Sequence, residues 1–387
     1  MMMVFGSLFA FGVFFKPVSE TTNWSRAAIS GASSLSCIVV GLSGLLLGGL
    51  NDRIGPRKIL TLSGILMGAG FILMSQISNL WQLYFFYGII IGLGQGASYV
   101  PTLSTVVRWF TKRRSLMTGI VLIGASIGTV ISPPIANRII ELYSWQTSYL
   151  LLGIIILVII FVAAQFLKRD PSVMGLKPYG EEENVEEKAH QRDYTLKESL
   201  HTRQLWTFIC MEYIFGYVIF AIMVHLVPHA IDLGISPATA ALMLTVVGVS
   251  GIAGRLILGS IGDKLGNKYV LLFGFIILAA DLIWLVFIKE TIHLYIFSAV
   301  FGFIYGGVQS SESPIVAWLF GTKSHGKIFG VACLAFALGS ATGIFTAGLI
   351  FDVFNSYMMA IYIMATASII GLILTNTLKP TTKEKCK

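Results

Sequence analysis

Apolar residues run in long blocks along this chain, and the polar ones gather in short clusters between them. Twelve blocks, at roughly residues 1–18, 25–50, 57–77, 80–107, 115–141, 145–168, 204–230, 236–261, 268–288, 292–318, 326–350 and 355–377, each approach or exceed the ~20 residues a helix needs to cross a bilayer. Backbone groups in hydrocarbon must be satisfied within the segment, which excludes open, non-helical alternatives. The pattern therefore predicts an all-α membrane protein of twelve transmembrane helices.

The polar clusters repeat. Gly48-x-x-x-Asp52-Arg53-x-Gly55-x-Arg57-Lys58 joins the second and third segments, and a degenerate copy, Gly259-x-x-x-Asp263-Lys264-x-Gly266-x-Lys268, joins the eighth and ninth, 211 positions later. Other pairs keep the same offset: Ser25 with Ser236 at a segment start, and Thr111-Lys112 with Thr322-Lys323. Pro101 and Pro314 fall in matching places near the ends of the fourth and tenth segments. Ser25 and Ser236 read as helix N-caps, with Pro237 at a first helical position. Six segments separate the two charged turns, and an even number returns both to one membrane face. Two parallel six-helix repeats result, the layout of many secondary transporters. The boundaries drawn are 1–167 for the first bundle, 168–203 for a linker, 204–378 for the second bundle and 379–387 for a tail.

Composition agrees. Hydrophobic residues make up 55% of the 387 and charged ones 12%, and the mean hydropathy is +0.80, so lipid is the solvent. The net charge of +8 does not signal nucleic acid, because 22 of the 27 Lys and Arg fall on one side of the predicted membrane. That side, with the linker and both termini, is expected to be cytoplasmic. The linker carries Asp170-Pro171, Lys177-Pro178 and an acidic run over 181–187, and reads as a mobile or partly helical loop. The first segment lacks a charged leader and a cleavage site, so it reads as a first helix rather than a removable signal, with an upstream start compatible. Cys37, Cys210, Cys333 and Cys386 have neither paired nor metal-ligand spacing. Nucleotide loops, zinc motifs and nucleophile–base pairs are lacking from the sequence, so neither an enzyme nor a cofactor is expected. Glycines recur three or four apart in the second, fourth and fifth segments, where they allow close helix packing. Pro133-Pro134 predicts a weak point in the fifth.

Ionisable residues inside the segments are few: Lys16, Glu212, Arg255, Asp281 and Glu312, with His225 and His229 near the outer end of the seventh. A charge at the bilayer centre costs about 2.5–3.5 kcal/mol on insertion scales, so each requires a reason. Arg255 can grip a carboxylate through two parallel hydrogen bonds, or can serve a structural ion pair. Lys16 can attract anions from outside or snorkel to the interface. Tyr305, Gln309 and Glu312 share one helical face, as do Gln95, Tyr99 and Thr102. Such stripes suit a small polar ligand or, alternatively, hydrogen bonds between helices. Glu312, Glu212 and Asp281 are the carboxylates available to carry a proton. Glu312 has the better face, Glu212 is early in its helix and expected near cytoplasmic water, and Asp281 lies on an expected peripheral helix.

Both charged turns resemble the signature of the major facilitator superfamily, and the resemblance covers the whole chain. It implies that Gly48, Asp52, Arg53, Gly55, Arg57 and Lys58, with Asp263 and Lys264, form a latch that makes and breaks as the halves rock. Asp52 is expected to meet Arg53, Arg57 or the dipole of a neighbouring helix start. Residues 109–119, Trp-Phe-Thr-Lys-Arg-Arg-Ser-Leu-Met-Thr-Gly, resemble the start of the fifth helix in monocarboxylate transporters and oxalate/formate antiporters, as do Phe14-Phe15-Lys16 and Gly254-Arg255. The chain departs from that pattern at Gly251, where animal monocarboxylate carriers place an acid four positions before the arginine. It departs again at Lys327, which lies at the start of the eleventh segment rather than within it. One cavity cation fits a monoanion better than a dianion. The resemblance implies a carrier of a small organic monocarboxylate such as lactate, pyruvate or formate, coupled to protons, with Arg255, Tyr99, Tyr305, Gln309, Gln95 and Lys16 at the substrate. The alternatives are an anion exchanger or an exporter of another metabolite or drug, or a membrane sensor. The expected partners are the organic anion, a proton or counter-anion, and the lipid bilayer, with the chain acting as a monomer in the cell membrane.

Overall fold

The computed structural model describes residues 1–24, 26–180 and 193–380. The long helices are α1 (Met2–Thr22), α2 (Arg26–Ile54), α3 (Pro56–Met74), α4 (Leu80–Trp109), α5 (Arg114–Leu142) and α6 (Trp145–Gln165), then α7 (Arg203–Asp232), α8 (Pro237–Leu265), α9 (Asn267–Leu285), α10 (Thr291–Phe320), α11 (His325–Phe354) and α12 (Met358–Thr377). Among the described residues, eleven of them, all but α1, contain a stretch long and apolar enough to cross a membrane. Large apolar side chains such as Leu46, Phe345 and Ile373 stand exposed on them, which suits lipid as the surrounding solvent.

Local chemistry sets the helix ends. Ser236 accepts a hydrogen bond from the Thr239 N–H at 3.3 Å with Pro237 in the first turn, as the sequence predicts; Ser25, its expected counterpart, lies outside the described residues. The α2–α3 turn is a single residue, Gly55, at φ +84°, followed by Pro56 as the first residue of α3. Gly266 at φ +100° makes the matching turn between α8 and α9. Only glycine adopts these values without strain. Helix α5 continues through Pro133-Pro134. Helix α4 does not stay regular: Tyr84–Ile91 is a π-helical stretch, which the sequence pattern did not foretell.

The chain divides into two compact units, Met1–Trp109 with Val121–Pro178, and Phe110–Ile120 with Tyr179–Lys387. In the first, α2 packs on α4 and α3 on α6, and Gly6 and Gly128 bring α1 against α5. Its core is aromatic, with Phe14 stacked on Tyr149 at 3.8 Å between centroids and Phe11 on Tyr87 at 4.2 Å. In the second, α8 packs on α10, α9 on α12 and α7 on α11. The three helix pairings of one unit thus recur in the other, so the sequence duplication is also a duplication of packing.

The described ends of the linker dock on the second unit. The Tyr179 carbonyl accepts from the Thr111 and Lys112 N–H groups at 2.9 and 3.1 Å, and the Asp193 carboxylate accepts from those of Thr322 and Lys323 at 2.9 and 3.1 Å. These are the two turns that the sequence offset pairs. A short helix, Leu196–Leu200, leads into α7. The acidic run lies outside the described residues.

Candidate functional site

Arg255 owes its setting to the closeness of α8 and α10. A Cβ added at Gly254 would strike the Phe303 carbonyl, and one at Gly306 the Gly251 carbonyl. Glycine at these positions brings the backbones together and sets the arginine against the polar face of α10. Arg255 is 4% exposed. Its Nη2 donates to Gln309 Oε1 at 2.7 Å, and its Cζ lies 5.6 Å from the centroid of the Tyr305 ring. Tyr305 and Gln309 stand one turn apart and so meet the same guanidinium. Both hold it without contributing a charge. Nη1 lies against Gly251, 3.3 Å from where a Cβ there would sit. The position at which animal monocarboxylate carriers place an acid is therefore beside this guanidinium.

Glu312 follows Gln309 by three residues on the same helix and is 4% exposed. Glu212, on α7, is 2% exposed. The position early in α7 suggested cytoplasmic water, but packing of α7 against α11 and α12 buries the carboxyl instead. Glu212 Oε1 has no hydrogen-bond partner. Asp281 of α9 is 5% exposed, with Oδ2 similarly unpartnered.

The first unit carries its own polar stripe. Gln95 is 3% exposed, and neither atom of its amide has a partner. Tyr99, one turn on, is half-buried, with its ring edge toward Phe5 at 6.0 Å. Thr102 spends its hydroxyl on the Ser98 carbonyl at 2.7 Å. The stripe begins just past the π-helical stretch, whose wider turn sets its rotation about α4. The Lys16 side chain lies outside the described part of the molecule. His225, in the second unit, lies within hydrogen-bond distance of the Tyr357 hydroxyl at 3.1 Å and the Ile344 carbonyl at 3.0 Å. With His229 it lines a small, mostly apolar cavity.

The two charged turns differ in what their aspartates do. The Asp52 Oδ1 accepts from Arg108 Nη2 at 2.7 Å, with both side chains nearly buried, and Arg108 Nη1 also lies 3.6 Å from Asp170. Arg108 was legible only as one more cation of the positive side. Arg53 is exposed, and its carbonyl lies 3.5 Å from Arg169 Nη1. Arg57 donates to Gln165 at 2.9 Å, while Lys58 and Lys264 are exposed and Gly48 is buried. Asp263 instead accepts from the Ser115 and Leu116 N–H groups at 2.8 and 2.9 Å. It thereby satisfies two of the donors that the first turn of α5 leaves open. Ser115 also donates to Asn267 at 2.6 Å, and Lys268 binds the carbonyls of Asn376 and Leu378 at the end of α12.

Sequence comparison finds relatives across the whole chain. Monocarboxylate transporter 13 of Rattus norvegicus is 26% identical over 95% of this chain and 84% of its own length. Monocarboxylate transporter 12 of Mus musculus is 28% identical over 84% and 72%. The uncharacterized MFS-type transporter YhjX of Escherichia coli (strain K12) is 26% identical over 87% and 82%. Among solved structures, the E. coli fucose:proton symporter FucP superposes with a TM-score of 0.73 at 16% identity, covering 98% of each chain. The proton:xylose symporter XylE superposes at 0.79 and 14%, covering 98% of this chain and 95% of its own. At that identity these two speak for the fold alone. The family description matched over residues 1–231 and 216–386 is that of the Major Facilitator Superfamily. A duplicated, all-helical, multi-pass chain whose relatives are transporters, this protein belongs to the Major Facilitator Superfamily of membrane transporters.

Proposed function

We propose that the chain carries a small organic monocarboxylate of the lactate, pyruvate or formate type across the cell membrane by alternating access, in symport with a proton. The observation that carries this reading is Arg255, a buried guanidinium oriented by the neutral Gln309 and Tyr305. Arginine keeps its charge at any working pH and matches a carboxylate in two hydrogen bonds. Two relatives that span most of the chain are named monocarboxylate transporters, which supports the same cargo class.

Arg255 is the carboxylate anchor in this proposal, with Tyr305 and Gln309 shaping its surroundings. Gln95 and Tyr99 are also proposed as substrate residues, and the buried Gln95 amide, without a partner, suits a polar guest. Lys16 is proposed to draw the anion in. Glu312, Glu212 and Asp281 are the proposed proton carriers. The charged turns, from Gly48 to Lys58 and at Asp263-Lys264, are proposed as the latch. The linker and termini are proposed to lie on the cytoplasmic side, a reading that the bias of Lys and Arg supports.

The test is uptake by the purified full-length chain in proteoliposomes, with labelled formate, lactate and pyruvate beside a sugar and a dicarboxylate. Accumulation of a monocarboxylate that collapses when the proton gradient is dissipated is expected. Accumulation of the sugar or the dicarboxylate alone would refute the cargo assignment.

A further inference from the structure

We infer that the end of the first unit where α2, α4 and α6 finish carries a docking surface for anionic phospholipid headgroups, built from the first residues of the linker and the α2–α3 turn. The inference goes beyond the proposed cargo and does not depend on it; its one premise is that the chain lies in a bilayer.

Helix α6 ends at Gln165, and the residues that follow fold back on the unit. Trp109 Nε1, at the end of α4, donates to the Lys168 carbonyl at 2.9 Å. Arg169 Nη1 donates to the Arg53 carbonyl of α2 at 3.5 Å, and its Cβ lies 3.4 Å from where a Cβ on Gly55 would sit. Asp170 meets Arg169 at 2.9 Å and Arg108 at 3.6 Å. Pro171 is then buried, and Pro171–Met174 forms one turn of 3-10 helix that ends at Gly175 with φ +69°. The Leu176 N–H returns to the Pro171 carbonyl at 3.1 Å, which closes the turn. These contacts with three helix ends keep the turn within a few residues of the edge of the apolar span, Gln165.

The turn displays two kinds of side chain. Phe166, Val173, Met174 and Leu176 are 52–80% exposed. All four lie past the end of the Trp145–Gln165 span, so contact with hydrocarbon along that span does not account for them. Arg53, Arg57, Lys58, Lys168 and Lys177 are exposed beside them on the same segment and the α2–α3 turn. Counting Arg108 and Arg169, seven cations stand at this end of the unit against two acids, Asp52 and Asp170. Both acids pair with Arg108, so the exposed surface is positive.

Cations mixed with apolar side chains, held where a spanning helix ends, match the headgroup layer. Apolar tips enter the boundary with the acyl chains while Lys and Arg meet phosphates. Arginine binds a phosphate through two hydrogen bonds, and lysine as a point charge. Water alone would leave four large apolar side chains solvated, and nucleic acid would use the cations without them. The linker's own acidic run would satisfy the charge, but Val185 is its one apolar residue over 181–187, so it gives those four side chains no cover.

The test uses the full-length chain in nanodiscs of phosphatidylcholine and of an equal mixture of phosphatidylcholine and phosphatidylglycerol. With Cys37, Cys210, Cys333 and Cys386 replaced by serine, Met174→Cys is labelled with bimane; Val173→Cys is the second reporter should the first variant fail to fold. In the mixture the label is expected to be quenched by lipid brominated near the top of its acyl chains and shielded from aqueous acrylamide. Quenching by lipid should weaken in phosphatidylcholine alone and at high salt. Lys168→Gln with Lys177→Gln should shrink the difference between the two lipids severalfold, and Leu176→Asp should lower quenching in both. Quenching by acrylamide and not by brominated lipid in both compositions would overturn the docking surface. Equal lipid quenching in the two compositions would overturn its choice of anionic headgroups. Lipid quenching that appears only after the glutamates of the acidic run are changed to glutamine would assign the surface to the linker itself, and the inference would fail. No readout involves cargo, so failure of every monocarboxylate in the uptake panel would leave the surface standing.

Discussion

Asp263 closes the start of α5 through Ser115: its carboxylate takes the Ser115 N–H at 2.8 Å and the next N–H, that of Leu116, at 2.9 Å, while the Ser115 hydroxyl is held by Asn267. Its counterpart in the first repeat, Asp52, spends its charge on the Arg108 side chain. One motif has therefore given two kinds of anchor, a helix cap and a nearly buried ion pair.

The two anchors should differ in strength. Asp263→Ala removes a cap and is expected to cost about 0.5–2 kcal/mol. Asp52→Ala leaves Arg108 buried without its closest partner, for which about 3–5 kcal/mol is expected, less whatever Asp170 at 3.6 Å recovers. Thermal unfolding of the purified variants should place Asp52→Ala below Asp263→Ala, and adding Asp170→Ala should lower it again. Equal midpoints would contradict this ranking.

Close approach of α8 and α10 makes another prediction. Gly254→Ala pushes a methyl into the Phe303 carbonyl and should destabilise by about 1–3 kcal/mol. Gly248→Ala, on the same helix with nothing within 4 Å of the added methyl, should be neutral or slightly stabilising. A thermal-shift comparison in one detergent separates them.

Gly251 offers a direct handle on Arg255. Gly251→Asp sets a carboxylate beside Nη1, where it competes with any anion for the guanidinium. Affinity for the monocarboxylate cargo is expected to fall about tenfold or more, or ~1.4 kcal/mol. Gly251→Asn, similar in volume but neutral, should lose much less. Calorimetric titration of both variants reads the difference, and equal losses would mean that bulk, not charge, is responsible.

Gln309→Ala takes away the acceptor that Arg255 holds at 2.7 Å. The buried N–H left behind should cost about 1–3 kcal/mol of stability or cargo affinity. Gln309→Glu should instead keep the fold and weaken anion binding, because it supplies a permanent negative partner. Binding isotherms and unfolding midpoints measured on the same samples distinguish the two effects.

Periodicity and repetition made most of the architecture readable. The twelve segments, the offset between Asp52 and Asp263 and the N-cap at Ser236 follow from one-dimensional rules, because lipid and backbone satisfaction leave a helix few alternatives. The face shared by Tyr305, Gln309 and Glu312 was readable for the same reason, and Arg255 meets two of its three residues. Contacts made between distant segments were not readable. Arg108 is 56 residues from Asp52 and looked like any other cation near a membrane surface. Glu212 looked close to water because only its distance along α7 was visible, not the helices that cover it. The π-helical stretch at Tyr84–Ile91 leaves no periodic trace, since every residue in it is apolar, aromatic or glycine.

Binding of formate, lactate and pyruvate to the purified chain, with Arg255 intact and as Arg255→Ala and Arg255→Lys, tests the carboxylate anchor most directly. The wild type should be stabilised against heat by at least one of these anions. Arg255→Ala should lose that stabilisation, and Arg255→Lys should recover only part of it, because an ammonium cannot form the paired hydrogen bonds. Undiminished stabilisation of Arg255→Ala by the same anion would contradict the account.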